Sequence, residues 1–434
     1  MTARIPLLVK IGYGVMEVGN AGTEVLVRLA MLLFYTEVVG LRPDYAGIAI
    51  ALGVVWDALT DPLMGRFSDV WVFRSQRRRH YFIPGSMLLA ICFVGLFSVP
   101  GVDSQFGKFL WLLVTYVLVN TFHTVTTVPH MALAGDLTKD SSERTELFGW
   151  RLLFGNFGLI FATGLPYIWH VLDLKFLDAD RFAAVFMALF GVLTAIITFL
   201  ATKGRDHAEA GSNDGMALSF IESLRVISKN RSFFNLLIAF FIATIGLTLN
   251  STLALYYYRF RLKLAEDQVR LVLLVFMVMF CATIPLWVKL SARVQKVTLI
   301  RINVFALGIL TIIAYPLLPA GHAWWPLLVA FPGGLFVASV VLLEAAVADS
   351  VELTGGTDFG AYFGIWKLCG KVSRALSIAA TGFILQAIGY KAGTEVSDET
   401  SFFLAMLFGP GVGVFLLLAV LVLKPHKPQG QIAA

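Results

Sequence analysis

The chain has 434 residues, of which 58% are hydrophobic and 14% charged, and its net charge is +6. Soluble domains run at about 25% charged, so this composition excludes a water-soluble globular protein, which could not bury so much apolar surface. The positive balance does not mark a nucleic-acid binder, because the basic residues lie in short loops between apolar runs, where positive charge sets membrane topology.

A membrane-spanning helix needs about 20 apolar residues. The apolar runs predict twelve such helices, near 10–38, 43–66, 80–100, 107–134, 145–170, 181–203, 233–258, 267–291, 297–317, 323–348, 360–389 and 401–424. The first run is long, carries charges and has no small-residue cleavage site, so it does not read as a cleavable signal peptide. The longest polar interruption, 203–215, precedes an amphipathic stretch, 216–231, expected to lie along the membrane surface. The chain therefore divides into 1–203, a cytoplasmic linker at 204–232, and 233–434. With both termini placed inside, inner segments hold 20 Lys and Arg residues and outer loops hold 9, an asymmetry that puts the termini in the cytoplasm. This all-α, polytopic arrangement of two six-helix halves resembles the major facilitator layout. Cys92, Cys281 and Cys369 all fall in apolar runs without metal-ligand spacing, and read as packing residues.

Charged side chains inside these runs are the functional candidates, because an ionised group at bilayer depth is costly unless paired or bound to an ion. On the first helix Glu17, Asn20, Glu24 and Arg28 follow an i, i+3, i+7, i+11 stripe. Glu24 and Arg28 can equally form a plain intrahelical pair. On the second helix Asp57 and Asp61 are four residues apart, on one face; two carboxylates there point to a cation or proton site. The loop that follows holds Asp69, Arg77, Arg78 and Arg79, and a second acid/base loop begins at Asp136. The fourth helix places His123, Thr127 and His130 on one face, near Pro129, which is expected to kink it. The eleventh carries Lys367, Lys371 and Arg374 at i, i+4, i+7. Arg151 and Glu344 complete five intramembrane bases and five acids, a balance expected of groups that converge on one polar cavity.

The run from Trp56 to Gly65 closely resembles the helix 2 signature of the glycoside–pentoside–hexuronide:cation symporters. The likeness extends to Tyr13-Gly14, to the run ending at Gly40, to Pro129 through Leu133, to Arg151, to the run ending at Val351, and to Lys371 with Gly389-Tyr390. It implies a bacterial inner-membrane symporter in which Asp57, Asp61, Thr60 and Thr124 bind sodium or a proton; sodium, if used, would be held by Asp57 and Asp61. Thr60 stands where the family's melibiose permease has asparagine. Arg151 and Lys371 match positions near the substrate and cation sites. The loops bearing Asp69 and Arg77 to Arg79 and following Asp136 resemble the gates of major facilitators, where acids and bases latch the halves in one state.

The sugar site carries over less well. Asn20 and Ala21 replace a Lys-Asp pair, Thr127 replaces an aspartate, and Met131 and Val340 replace stacking tryptophans. A site with Glu17, Asn20, Thr127, Arg151, Lys367, Lys371 and Arg374, rich in cations, suits a small anionic, sugar-like solute. A lysophospholipid-type amphiphile, or a non-transporting assembly factor on the same scaffold, are the alternatives. No enzyme motif is present. The expected partners are the solute, the coupling cation and the bilayer, for a monomer with no cofactor beyond that ion.

Overall fold

The computed structural model describes residues 5–75, 78–138, 140–173, 178–205, 230–352, 359–391 and 396–423, with the side chains of 62, 65–75, 141, 142, 145, 352 and 359–361 outside the described set. The linker stretch 216–229 therefore lies outside the described residues. Among the described residues there are twelve long helices and no strand. They are α1 Leu7–Val38, α2 Pro43–Ser75, α3 Arg78–Leu96, α4 Gln105–Leu137, α5 Ser141–Val171, α6 Ala179–Ala201, α7 Arg231–Arg261, α8 Glu266–Ser291, α9 Lys296–Leu317, α10 Trp324–Val351, α11 Phe359–Ala387 and α12 Asp398–Val422. Eleven are long and apolar enough to cross a membrane. The remaining helix, α2, carries Asp57 and Asp61 within its apolar run.

The helix starts follow local chemistry. The Ser104 hydroxyl accepts from Gly107 N at the head of α4, and the Asp178 carboxylate accepts from Arg181 N at the head of α6. Asn230 caps α7 through Phe233 N, and its amide donates to Ser350 O at 2.9 Å, tying α7 to the end of α10. Each cap satisfies an amide that has no partner within its helix.

The chain forms two compact units. The first is residues 1–215 with 378–395; the second is 216–377 with 396–434. The C-terminal third of α11 thus groups with the first unit. There Gly382 lies against α2 so closely that a Cβ on it would stand 2.4 Å from Pro43 O, and the Tyr390 hydroxyl donates to Glu37.

Within the first unit α1 is buried almost all round, packed on α5 and α6. A Cβ on Gly158 of α5 would fall 2.4 Å from Val18 O of α1. Small residues let membrane helices approach this closely. In the second unit Phe233, Trp287, Leu342, Tyr362 and Trp366 belong to one apolar core.

One irregular turn occurs twice. At the end of α1, residues Phe34–Val38 form a π turn, Val39 N donates to Phe34 O, and Leu41 N to Tyr35 O. At the end of α7, Tyr257–Arg261 form a π turn, Leu262 N donates to Tyr257 O, and Leu264 N to Tyr258 O. The residue that reverses the chain is left-handed in both: Gly40 at φ 71° and Lys263 at φ 52°.

Candidate functional site

The carboxylate pair on α2 meets α4. Thr124 Oγ1 lies 3.1 Å from Asp57 Oδ1 and 3.0 Å from Asp61 Oδ1, and Thr124 is 1% exposed. Two bonds fix the helices in this register. Trp56 Nε1 donates to Thr121 Oγ1 at 2.9 Å, and Asn120 Nδ2 donates to Gly53 O at 3.0 Å. Gly53 is needed for the close approach, since a Cβ there would stand 2.2 Å from the Tyr116 ring. Thr60 enters less directly: its hydroxyl donates to the Asp57 backbone carbonyl at 3.3 Å rather than to a carboxylate.

A hydroxyl has one hydrogen. Thr124 therefore donates to only one of the two carboxylate oxygens it touches. The other contact brings two oxygens to about 3 Å, a geometry that a shared proton or a cation between them would satisfy. The donor set, carboxylates and a hydroxyl, consists of hard oxygen ligands of the kind alkali and alkaline-earth cations prefer. Among the described residues there is no cluster of three His, Cys, Asp or Glu side chains that could hold a transition metal.

The second constellation joins α1, α4 and α5. Arg151 grips the Glu17 carboxylate with both arms, Nε to Oε2 at 2.7 Å and Nη2 to Oε1 at 2.9 Å. His130 Nδ1 stands 3.5 Å from the same Oε2, and its Nε2 is 2.8 Å from Tyr13 O. Further along α1, Glu24 and Arg28 pair at i, i+4 with side chains 48% and 46% exposed. Glu17, Ala21, Glu24 and Arg28 form the accessible stripe of a helix otherwise buried over most of its length. A half-exposed charged pair at this depth belongs beside water rather than hydrocarbon.

Asn20 is not part of that stripe, contrary to the expectation from spacing. It is 5% exposed and lines a small internal pocket with Thr23, Ser86 of α3 and Met187 of α6. Both i+3 and i+4 fall near one helical face, so spacing alone could not choose between Asn20 and Ala21. Packing chooses, because Gly19 meets Gly191 of α6 with room for no side chain, which turns the neighbouring Asn20 inward. Thr127 is part-buried, and its hydroxyl donates to His123 O in its own helix at 2.8 Å.

Lys367, Lys371 and Arg374 belong to the second unit. Lys367 is exposed, Arg374 part-buried and Lys371 buried, at 9%. Beside them Trp366 stacks on Phe240 with ring centroids 3.8 Å apart.

Two of the loop basic residues make contacts inside the first unit. Arg78 Nε donates to Asp136 Oδ2 at 2.9 Å, joining the start of α3 to the end of α4 inside the first unit. Arg79 is buried with its guanidinium 5.2 Å from the Phe199 ring of α6. Arg77 and the Asp69 side chain lie outside the described residues. The two loops that carry gate-like charges thus clasp each other. Sequence inspection missed the counterpart in the second unit, where Lys296 Nζ at the start of α9 bonds both oxygens of Asp349 near the end of α10 at 2.7 Å. The signal was available, as a base opening one helix and an acid closing the next.

Comparison with known proteins agrees with this architecture. The nucleoside transporter NupG (D323A mutant) has the same fold, with a TM-score of 0.68 at 12% identity, covering 96% of this chain and 99% of that one. The symporter YnaJ of Bacillus subtilis (strain 168), itself uncharacterized, is 25% identical over 431 residues, 96% of this chain and 91% of its own length. The glucuronide carrier protein homolog of Escherichia coli (strain K12) is 26% identical over 404 residues, 90% of this chain and 85% of its own. The sodium-dependent lysophosphatidylcholine symporter 1 of Xenopus tropicalis is 22% identical over 433 residues, 90% of this chain and 81% of its own. The model of the MFS/sugar transport protein family matches residues 12–424. On that match, nearly the whole chain in length, the protein belongs to this family, the glycoside–pentoside–hexuronide:cation symporters of the major facilitator superfamily.

Proposed function

We propose that the protein is a secondary symporter that couples a cation, sodium or proton, to movement of a small anionic, sugar-like solute across the bacterial inner membrane, with both termini in the cytoplasm. The observation that carries the coupling is the contact of one Thr124 hydroxyl with both Asp57 and Asp61. The cluster offers two carboxylates and a hydroxyl to one positive charge, and either a proton or a metal cation can supply that charge. Loading and unloading the charge changes the energy of bringing α2 and α4 together, and this is how ion binding biases a two-state carrier.

Three observations support an anionic solute. Lys367, Lys371 and Arg374 share one helix face; the acid and tryptophans that would grip a neutral sugar are absent from the matching positions; and one relative is named as a glucuronide carrier homolog. A second reading, an amphiphile with a polar head, is favoured by the relative named as a lysophosphatidylcholine symporter.

The test is uptake into proteoliposomes of p-nitrophenyl β-D-glucuronide, p-nitrophenyl β-D-galactoside and a spin-labelled lysophosphatidylcholine, under an imposed sodium or proton gradient. The expected result is gradient-driven uptake of the glucuronide, abolished in Asp57→Asn and Asp61→Asn proteins that keep a wild-type elution profile. Uphill transport that survives both substitutions would refute coupling at this pair. Transport of the lysolipid alone would favour the second reading.

A further inference from the structure

His130 is fully buried, and its two ring nitrogens are not equivalent. Nε2 lies 2.8 Å from the Tyr13 carbonyl. A carbonyl can only accept, so Nε2 carries a hydrogen whatever the charge of the ring. Any further proton must go to Nδ1, which faces Glu17 Oε2 at 3.5 Å. When the ring is neutral, a nitrogen lone pair points at a carboxylate oxygen. When it is protonated, an N–H points there instead.

Among the described residues, these groups pack against the ring. From α1 come Glu17 and the Tyr13 ring, centred 4.7 Å away. From α5 comes Arg151, through Glu17. From α3 comes Phe82, edge-on at 5.8 Å and without a charge. On α4 itself His123 lies two turns earlier, and Asp57 and Asp61 of α2 reach that helix at Thr124, six residues before His130.

We infer that His130, Glu17 and Arg151 form a second proton-binding site, separate from the Asp57 and Asp61 pair. Glu17 is on the accessible stripe of α1 while His130 is sealed behind it, so the proton enters through the carboxylate. Glu17 takes a proton from water at Oε2. The O–H bond then breaks as the N–H bond forms at Nδ1, leaving a carboxylate between an imidazolium and a guanidinium. The triad changes from neutral to singly positive. Glu17 then has two cations to serve, and Arg151 exposes more of its charge. On the reading proposed above, an anionic solute answers that charge, so proton and solute load together.

The test needs no solute, so it stands or falls apart from the substrate assignment. The protein is labelled with 15N-histidine, held in lipid nanodiscs, and followed by NMR between about pH 5 and 8, the range in which histidine ordinarily titrates. The His130 signals are identified by their loss in His130→Gln. If that variant does not fold, they are identified by the Nε2 hydrogen, which is held to Tyr13 O and persists across the series. The expected result is an Nδ1 that gains its proton within the range, in wild type and in Asp57→Asn alike. In Glu17→Gln, where the facing charge is gone and Arg151 remains, protonation in that range is lost. A His130 that stays neutral throughout, or that titrates in Glu17→Gln as in wild type, overturns the proposal.

Discussion

Replacing Thr124 by valine tests the ion site at its most specific point. The substitution keeps the branched shape of a buried side chain and removes only the hydroxyl. Thr124 touches two carboxylate oxygens, at 3.1 and 3.0 Å, and its oxygen is the neutral ligand of the proposed donor set, so one contact to the bound charge is lost. Such bonds contribute about 1.5–3 kcal/mol, and about 1.4 kcal/mol is a factor of ten in affinity. Cation affinity should therefore fall roughly 10- to 100-fold. The assay is the thermal midpoint of the purified protein across a series of sodium and lithium concentrations, with pH varied in parallel, since a ligand of the folded state at free concentration c stabilises it by RT ln(1 + c/Kd). Thr124→Val should displace the curve to higher cation concentration, and Thr124→Ser, which restores the hydroxyl, should return it. A valine variant with the wild-type curve would refute the hydroxyl's role. Equal losses in serine and valine variants would show that packing, not hydrogen bonding, is at stake.

Lys371→Ala should weaken binding of p-nitrophenyl β-D-glucuronide about tenfold or more, as expected for one charge-assisted contact to a buried cation, and leave the corresponding galactoside little changed; calorimetry on purified protein decides, and equal losses for both ligands would remove Lys371 from any charge readout. Lys263→Gly should raise the thermal midpoint. A left-handed residue with a side chain costs roughly 1–2 kcal/mol, glycine returns roughly 0.5–1 kcal/mol of that as chain entropy, and the Lys263 side chain is exposed. A midpoint that falls would show that Lys263 makes a contact worth more than the strain.

The helices and the carboxylate pair were legible in the sequence for the same reason. Bilayer depth demands unbroken apolar runs, and against that background Asp57 and Asp61 stand out. What could not be read was decided by neighbours. Whether Asn20 or Ala21 shares a face with Glu17 depends on the contact between Gly19 and Gly191, which no periodicity in α1 records. Glu17 and Arg151 were both visible as intramembrane charges, but their bidentate pairing spans 134 positions. Acids and bases alternate in the two loops, and that pattern does not say that Arg78 pairs with Asp136. The π turns were missed because a helix end that widens by one residue leaves no periodic signature.

The repeated turn carries a lesson about ancestry. Phe34 and Tyr257 occupy the same place in it, as do Gly40 and Lys263, a constant offset of 223 positions. The two halves thus preserve a common backbone device and read as copies of one ancestral gene segment. Carried forward by the same offset, Asp57 and Asp61 fall on Phe280 and Ile284 of α8. Ile284 belongs to the second unit's apolar core, and Phe280 packs against it. At the positions that match the proposed ion site, the second unit is apolar. An inherited symmetry of shape coexists with a division of labour in chemistry: one copy kept, or acquired, the carboxylates, and the other invested the same positions in cohesion.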